Sequence, residues 1–167
     1  MRRIALALIL LIALLVAGVA IARLTARTIA GIPCDVSEQV AYHVHAHLTI
    51  VDRGRLLNDP PANVGIHPEH LCLYWLHTHD ASGIIHIEAP HRIVPTLGMF
   101  FDIWGQPLSR RQVGPLTAGR GQALRVYVGH IRYRGNPRSI RLYNHTAITI
   151  EVGPPYIPPP PANFLGY

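Results

Sequence analysis

Two short blocks carry most of the side chains in this chain that could do chemistry. Tyr42–Ile50 reads YHVHAHLTI and places His43, His45 and His47 at alternate positions. Cys72–Glu88 reads CLYWLHTHDASGIIHIE and holds His77, His79 and His86 with the carboxylates of Asp80 and Glu88. In an extended chain, residues two apart share a face, with Cα atoms about 6.5–7 Å apart. Two imidazoles at that spacing reach one ion, and a histidine from a neighbouring strand completes a three-ligand set. Three histidines with an open position suit Zn²⁺ or Cu²⁺. A nearby carboxylate, Glu88 or Asp80, can accept from an imidazole N–H and orient the ring. Without an ion, six crowded imidazoles would repel one another once protonated. The competing reading is a buried polar hydrogen-bond network or a surface cluster that senses pH. Isolated histidines such as His67, His91 and His130 read as surface or internally satisfied residues. His145 leads a late alternating segment and is an outlying candidate for the same site.

The elements that must position these rings show the period of two. Tyr42, Val44, Ala46, Leu48 and Ile50 alternate with His43, His45, His47 and Thr49, the pattern of a strand with one apolar face. Asp52-Arg53-Gly54 signals a turn, and Arg55–Leu57 a short return. Asn58–His70, with three prolines, reads as a loop. Leu71–His79 and Ile84–Ala89 form a hairpin around the turn Asp80-Ala81-Ser82-Gly83. Its expected register sets His79 opposite Ile84, His77 opposite His86 and Trp75 opposite Glu88. His77, His79, His86 and Glu88 then share a face, while Tyr74, Leu76, Ile85 and Ile87 share the other.

Thr96–Trp104 is a fourth apolar stretch. Residues 105–121 read as loop with a short helix around Ser109–Val113. Leu124–Tyr133 reads as a hairpin turning at Gly129-His130, and Thr146–Val152 as a late strand. Short strands between Gly and Pro turns predict an all-β domain, a small antiparallel sandwich or barrel. Its span is 28–153. Residues 154–167 open with PPYIPPPP and form a polyproline-type tail.

Residues 1–27 are different in kind. Ile4–Ala22 is nineteen residues without a polar side chain. As a helix it covers about 28 Å, close to a hydrocarbon core of about 30 Å. A single transmembrane anchor is expected. Cleavage as a signal peptide after Gly18-Val19-Ala20 is the alternative, although the apolar run exceeds the usual length of about 7–15 residues. Either reading places the domain outside the cytoplasm, in the periplasm or beyond, and the anchor makes bilayer lipid the first partner. In that setting the pair Cys34 and Cys72 favours a disulfide, with thiolate metal ligation as the alternative.

The formal charge is +6, and all fifteen basic residues are arginine. Arg125, Arg132, Arg134, Arg138 and Arg141 cluster late in the chain. They make a basic face able to meet anionic headgroups or an acidic partner. No nucleic-acid motif is present.

The blocks YHVHAHLTI, VGI, CLYWLHTHDASGIIHIEAP, TLGMFFDIWGQPLS and YRGNPRSIRL with NHTAITIEVG resemble an uncharacterised family of exported or membrane-anchored bacterial proteins. The resemblance runs from about Cys34 to Pro155. It implies an extracytoplasmic location and one shared His-rich site, and it implies no reaction. His43-Val44-His45 alone is similar to the His-Val-His strand of copper-zinc superoxide dismutases, too short a match to carry an activity.

Three functions remain on these grounds. The first is an anchored extracytoplasmic module that binds copper or zinc through His43, His45, His47, His77, His79 and His86. The second is an accessory subunit of a larger electron-transfer or energy-transducing membrane complex, in which any metal is structural. The third is a metalloenzyme with an open metal position. No G-x-S-x-G, paired-carboxylate cleft or Gly-rich phosphate loop supports a specific reaction.

Overall fold

The computed structural model describes residues 27–57 and 60–166. The apolar segment 4–22 and its flanking arginines Arg2, Arg3 and Arg23 lie outside the described residues. Among those described, no helix is long and apolar enough to cross a membrane.

The strands in chain order are β1 (Thr28–Ile29), β2 (Ile32–Asp35), β3 (Tyr42–Asp52), β4 (Arg55–Leu56), β5 (Ile66–His67), β6 (Cys72–Tyr74), β7 (Leu76–His77) and β8 (Ile84–Ala89). After the helix α1 (Leu97–Trp104) come β9 (Gln112–Val113), β10 (Leu116–Thr117), β11 (Arg125–Val128), β12 (Ile131–Tyr133) and β13 (Thr146–Val152). A large sheet runs β12-β11-β13-β3-β8-β7, with β4 paired to the end of β3. A smaller sheet runs β1-β2-β6-β5, and β9 and β10 form a separate hairpin. β13 lies parallel to β3, and the other pairings are antiparallel. The chain is mostly β, as the alternation predicts, but the sheets do not close into a barrel.

The apolar faces meet in one core. Ala46, Leu48 and Ile50 of β3 join Leu76, Ile85, Ile87, Ile148 and Ile150 there, with Ile32, Cys72 and Tyr74 from the smaller sheet. The strand expected over Leu71–His79 divides at Trp75. Its backbone N–H donates to Pro33 O in the smaller sheet at 3.2 Å, and its carbonyl accepts from Glu88 N in the large sheet at 2.9 Å. One residue therefore turns the corner between the two sheets. The indole Nε1 donates to Asp35 at 2.8 Å and fixes the corner.

Three segments differ from the expectation. Thr96–Trp104 is not extended: Leu97–Trp104 is helical, with Thr96 Oγ1 accepting from Met99 N and Gly105 ending the helix at φ 69°. Leu97, Phe100 and Phe101 recur at spacings of three and one and are fully buried, so one face of α1 closes the core. Ser109–Val113 is not helical: Gln112–Val113 pairs with Leu116–Thr117 around Gly114-Pro115. Arg111 ties this region by donating to the carbonyls of Ala118, Gly119 and Gln122. The loop expected over Asn58–His70 contains β5, and β1 and β2 precede β3 where no alternation marks a strand.

The opposite face of the large sheet is also covered. Residues 154–164 fold back over it. Ile157 N donates to the buried Glu151 carboxylate at 3.1 Å, Tyr156 takes the Arg125 guanidinium on its ring at 3.4 Å, and Phe164 stacks on His145. The tail is thus a strap on its own domain.

Cys34 and Cys72 are disulfide-bonded, 38 residues apart in sequence, which removes both thiols from any ligand set. The bond joins β2 to β6 just before the Trp75 corner. Replacing both cysteines by serine should lower unfolding stability by about 2–4 kcal/mol, because the loop constraint on the unfolded chain is lost. Urea unfolding followed by tryptophan fluorescence measures this.

Candidate metal centre

The register of three adjacent strands assembles the histidines. β8 is the middle strand: His86 pairs with His77 of β7 on one side and with His45 of β3 on the other. His77, His86 and His45 therefore form one transverse row across neighbouring strands, which lie about 4.8 Å apart. The next row on the same face pairs Glu88 with His43. The expected opposition of His77 and His86 holds, and the Glu88–Trp75 backbone bond keeps the expected step beside it. Gly83 shapes the turn at φ 90°, and a Cβ there would come 2.5 Å from the Leu48 carbonyl oxygen. Only glycine lets the turn pass this close to β3.

The rings crowd together. Centroid distances are 4.7 Å for His43–His45, 4.7 Å for His45–His86, 4.4 Å for His79–His86 and 5.2 Å for the stacked pair His77–His86. Two donor sets result. His77, His79, His86 and Glu88 offer one set, and His43, His45 and His86 the other, with the donor atoms of each set within 4.8 Å of one another. In the first, His77 Nε2 lies 3.2 Å from His79 Nε2 and 3.7 Å from Glu88 Oε1, and His86 Nδ1 lies 3.2 Å from that same oxygen. Glu88 Oε1 also lies 3.1 Å from His43 Nε2, so the carboxylate touches both sets.

Hydrogen bonds prepare the rings. His77 Nδ1 is 2.9 Å from the Tyr74 carbonyl, which can only accept. The Nδ1–H therefore donates outward, and Nε2 presents its lone pair to the cluster. Burial is uneven: His77, His86, Glu88 and His45 are buried, while the side chains of His43 and His79 are 41% and 40% exposed. The cluster thus has a closed floor and a mouth at His43 and His79.

Burial pushes His77 down to about 4, against the pull of the Tyr74 carbonyl and Glu88. It pushes His45 to about 4 as well, helped by the neighbouring His86 and His43. Burial alone would raise the Glu88 carboxyl. The His86 hydrogen bond and the closeness of His77 and His43 outweigh it and hold the group below its usual value. At neutral pH the cluster therefore contains an ionised Glu88 carboxylate beside neutral His77 and His45.

Not every candidate joins. His47 belongs to neither donor set. Its Nδ1 lies 3.3 Å from Thr49 Oγ1, its ring meets Phe164 edge-on, and burial lowers its pKa. Asp80 accepts from Ser82 N at 2.8 Å and builds the hairpin turn. His145, just before β13, donates its backbone N–H to the His45 carbonyl at 2.7 Å, but its ring stacks on Phe164. Glu88 has a larger part than expected, as a donor within the first set. Glu38 was not anticipated: its carboxylate lies 3.4 Å from His79 Nε2. It comes from the irregular segment between β2 and β3, where no periodicity marks it.

No protein-family model, curated protein or solved structure matches the chain.

Protonation should oppose folding of the metal-free protein. His77 and His45 bind protons less readily when folded than at the ordinary value of 6.5, so the unfolded chain gains protons first on acidification. Stability should fall from pH 6.5 towards pH 4, and the depressed Glu88 adds to the loss below its ordinary value. His79, His86 and Glu88 face His77, and His43, His86, His145 and Glu88 face His45. Urea midpoints measured across this range on chelator-treated protein check the slope, and His77→Gln should flatten it.

Proposed function

We propose that this domain binds a transition-metal ion, copper or zinc, through His77, His79, His86 and Glu88. The observation that carries the reading is the spacing of the donors. A tetrahedral ion with ligands at about 2.0–2.1 Å sets them about 3.3 Å apart. Contacts of 3.2, 3.2 and 3.7 Å among these four residues already lie near that spacing. Two further points support it. Glu88 Oε2 is buried without a hydrogen-bond partner, a costly arrangement that a cation would relieve. Three imidazoles and a carboxylate also form a borderline nitrogen and oxygen set, which suits these two metals.

The setting we assign is extracytoplasmic and membrane-anchored. The apolar segment 4–22 and the Cys34–Cys72 disulfide support that setting. The role we assign is holding and handing over the ion, because the half-exposed His79 offers an exchange route while buried His77 secures the floor.

The test is metal content by elemental mass spectrometry on full-length protein purified without a histidine tag or chelator. At least one equivalent of copper or zinc is expected, falling at least tenfold in His77→Ala/His79→Ala. Metal-free, folded wild-type protein that takes up neither ion on addition would sink the reading.

A further inference from the structure

We infer that the cluster holds two metal ions side by side, the second in His43, His45 and His86, with His86 and Glu88 at the seam. This rests on the metal reading above and goes beyond it in the number and coupling of the ions.

The cluster holds more donors than one ion uses. Six side chains converge: His43, His45, His77, His79, His86 and Glu88. Copper and zinc sites of this type use four protein or solvent ligands, occasionally five. An ion in the first set already has four and leaves His43 and His45 over. Those two rings are 4.7 Å apart, and His45 is 4.7 Å from His86. With His86 their donor atoms lie within 4.8 Å, a second three-ligand set with room for solvent at the exposed His43.

The residues at the seam are the two able to serve both ions. His86 occupies the middle of the three-strand row and belongs to both sets. An imidazole carries two ring nitrogens and a carboxylate two oxygens. Glu88 Oε1 contacts His43 of one set and His77 of the other, and Oε2 is buried beside it without a hydrogen bond. Two cations close together repel strongly, and an anion between them offsets that repulsion. Glu88 is the carboxylate in that position. Ions in two-metal sites lie about 3.5–4 Å apart, a separation that the two oxygens of one carboxylate can span. His86 can serve both ions only by losing its ring N–H proton, and would then hold them farther apart.

Nuclearity and coupling are read together by adding Cu²⁺ to the chelator-treated full chain. Elemental analysis follows after removal of loose metal, with spin quantitation by electron paramagnetic resonance. Wild type should retain two equivalents and show well under two equivalents of observable spin, because adjacent Cu²⁺ ions couple. His43→Gln/His45→Gln should retain one equivalent and show one full spin. His43→Gln alone, at a half-exposed position, serves if the double variant does not fold, and should lower retained copper from two towards one. Wild type saturating at one equivalent overturns this inference and leaves the single-ion reading standing. No retained copper overturns this inference, and no retained zinc in a parallel addition overturns the single-ion reading with it. Two equivalents with two independent spins, or two retained by the double variant, place the second ion elsewhere and also overturn it.

Discussion

The pairing of β8 with β7 on one side and β3 on the other decides where nearly every imidazole lies. His86 is fixed opposite both His77 and His45, and Glu88 opposite His43. A slip of one residue in either ladder would turn the histidines onto the apolar face and Ile85 and Ile87 onto the polar one. That alternative is blocked by the core itself, since Ala46, Leu48, Leu76, Ile85 and Ile87 are all buried against one another. The hydrophobic face therefore sets the register, and the register sets the site. The same free-energy term that folds the sheet organises its chemistry.

A polar sheet face this rich in titratable groups is normally left to solvent. Here it is partly closed by the C-terminal strap, through Ile157 on Glu151 and Phe164 on His145 and His47. Burial in the folded domain keeps His77 and His45 neutral near physiological pH. The Trp75 corner and the Cys34–Cys72 bond act from the other side. They anchor the strand that bears His77 at the point where it leaves the smaller sheet. The site is consequently rigid at its floor and open at His43 and His79, an arrangement in which ions can be held without being sealed in.

Much of this arrangement is legible in the sequence. Alternation in Tyr42–Ile50 and Ile84–Ala89 marks β3 and β8, and the turn Asp80–Gly83 brings His77 opposite His86. The hairpin at Gly129-His130 and the strand Thr146–Val152 also follow from local pattern. The helix at Leu97–Trp104 had a signal too, a Thr96 cap and apolar spacings of three and one, which the surrounding β pattern obscured. The hairpin at Gln112–Thr117 was less visible, because two-residue strands are too short to show a period.

The sequence by itself determined which side chains share a strand face, because side-chain direction along an extended chain depends only on the backbone. It therefore placed His43 with His45, and His86 with Glu88. Tertiary structure alone decided which faces meet and which stay open. It put β3 next to β8, divided the Leu71–His79 run at Trp75, brought Glu38 to His79 and left His47 under Phe164. Those outcomes depend on contacts between residues distant in the chain, and no local period encodes them.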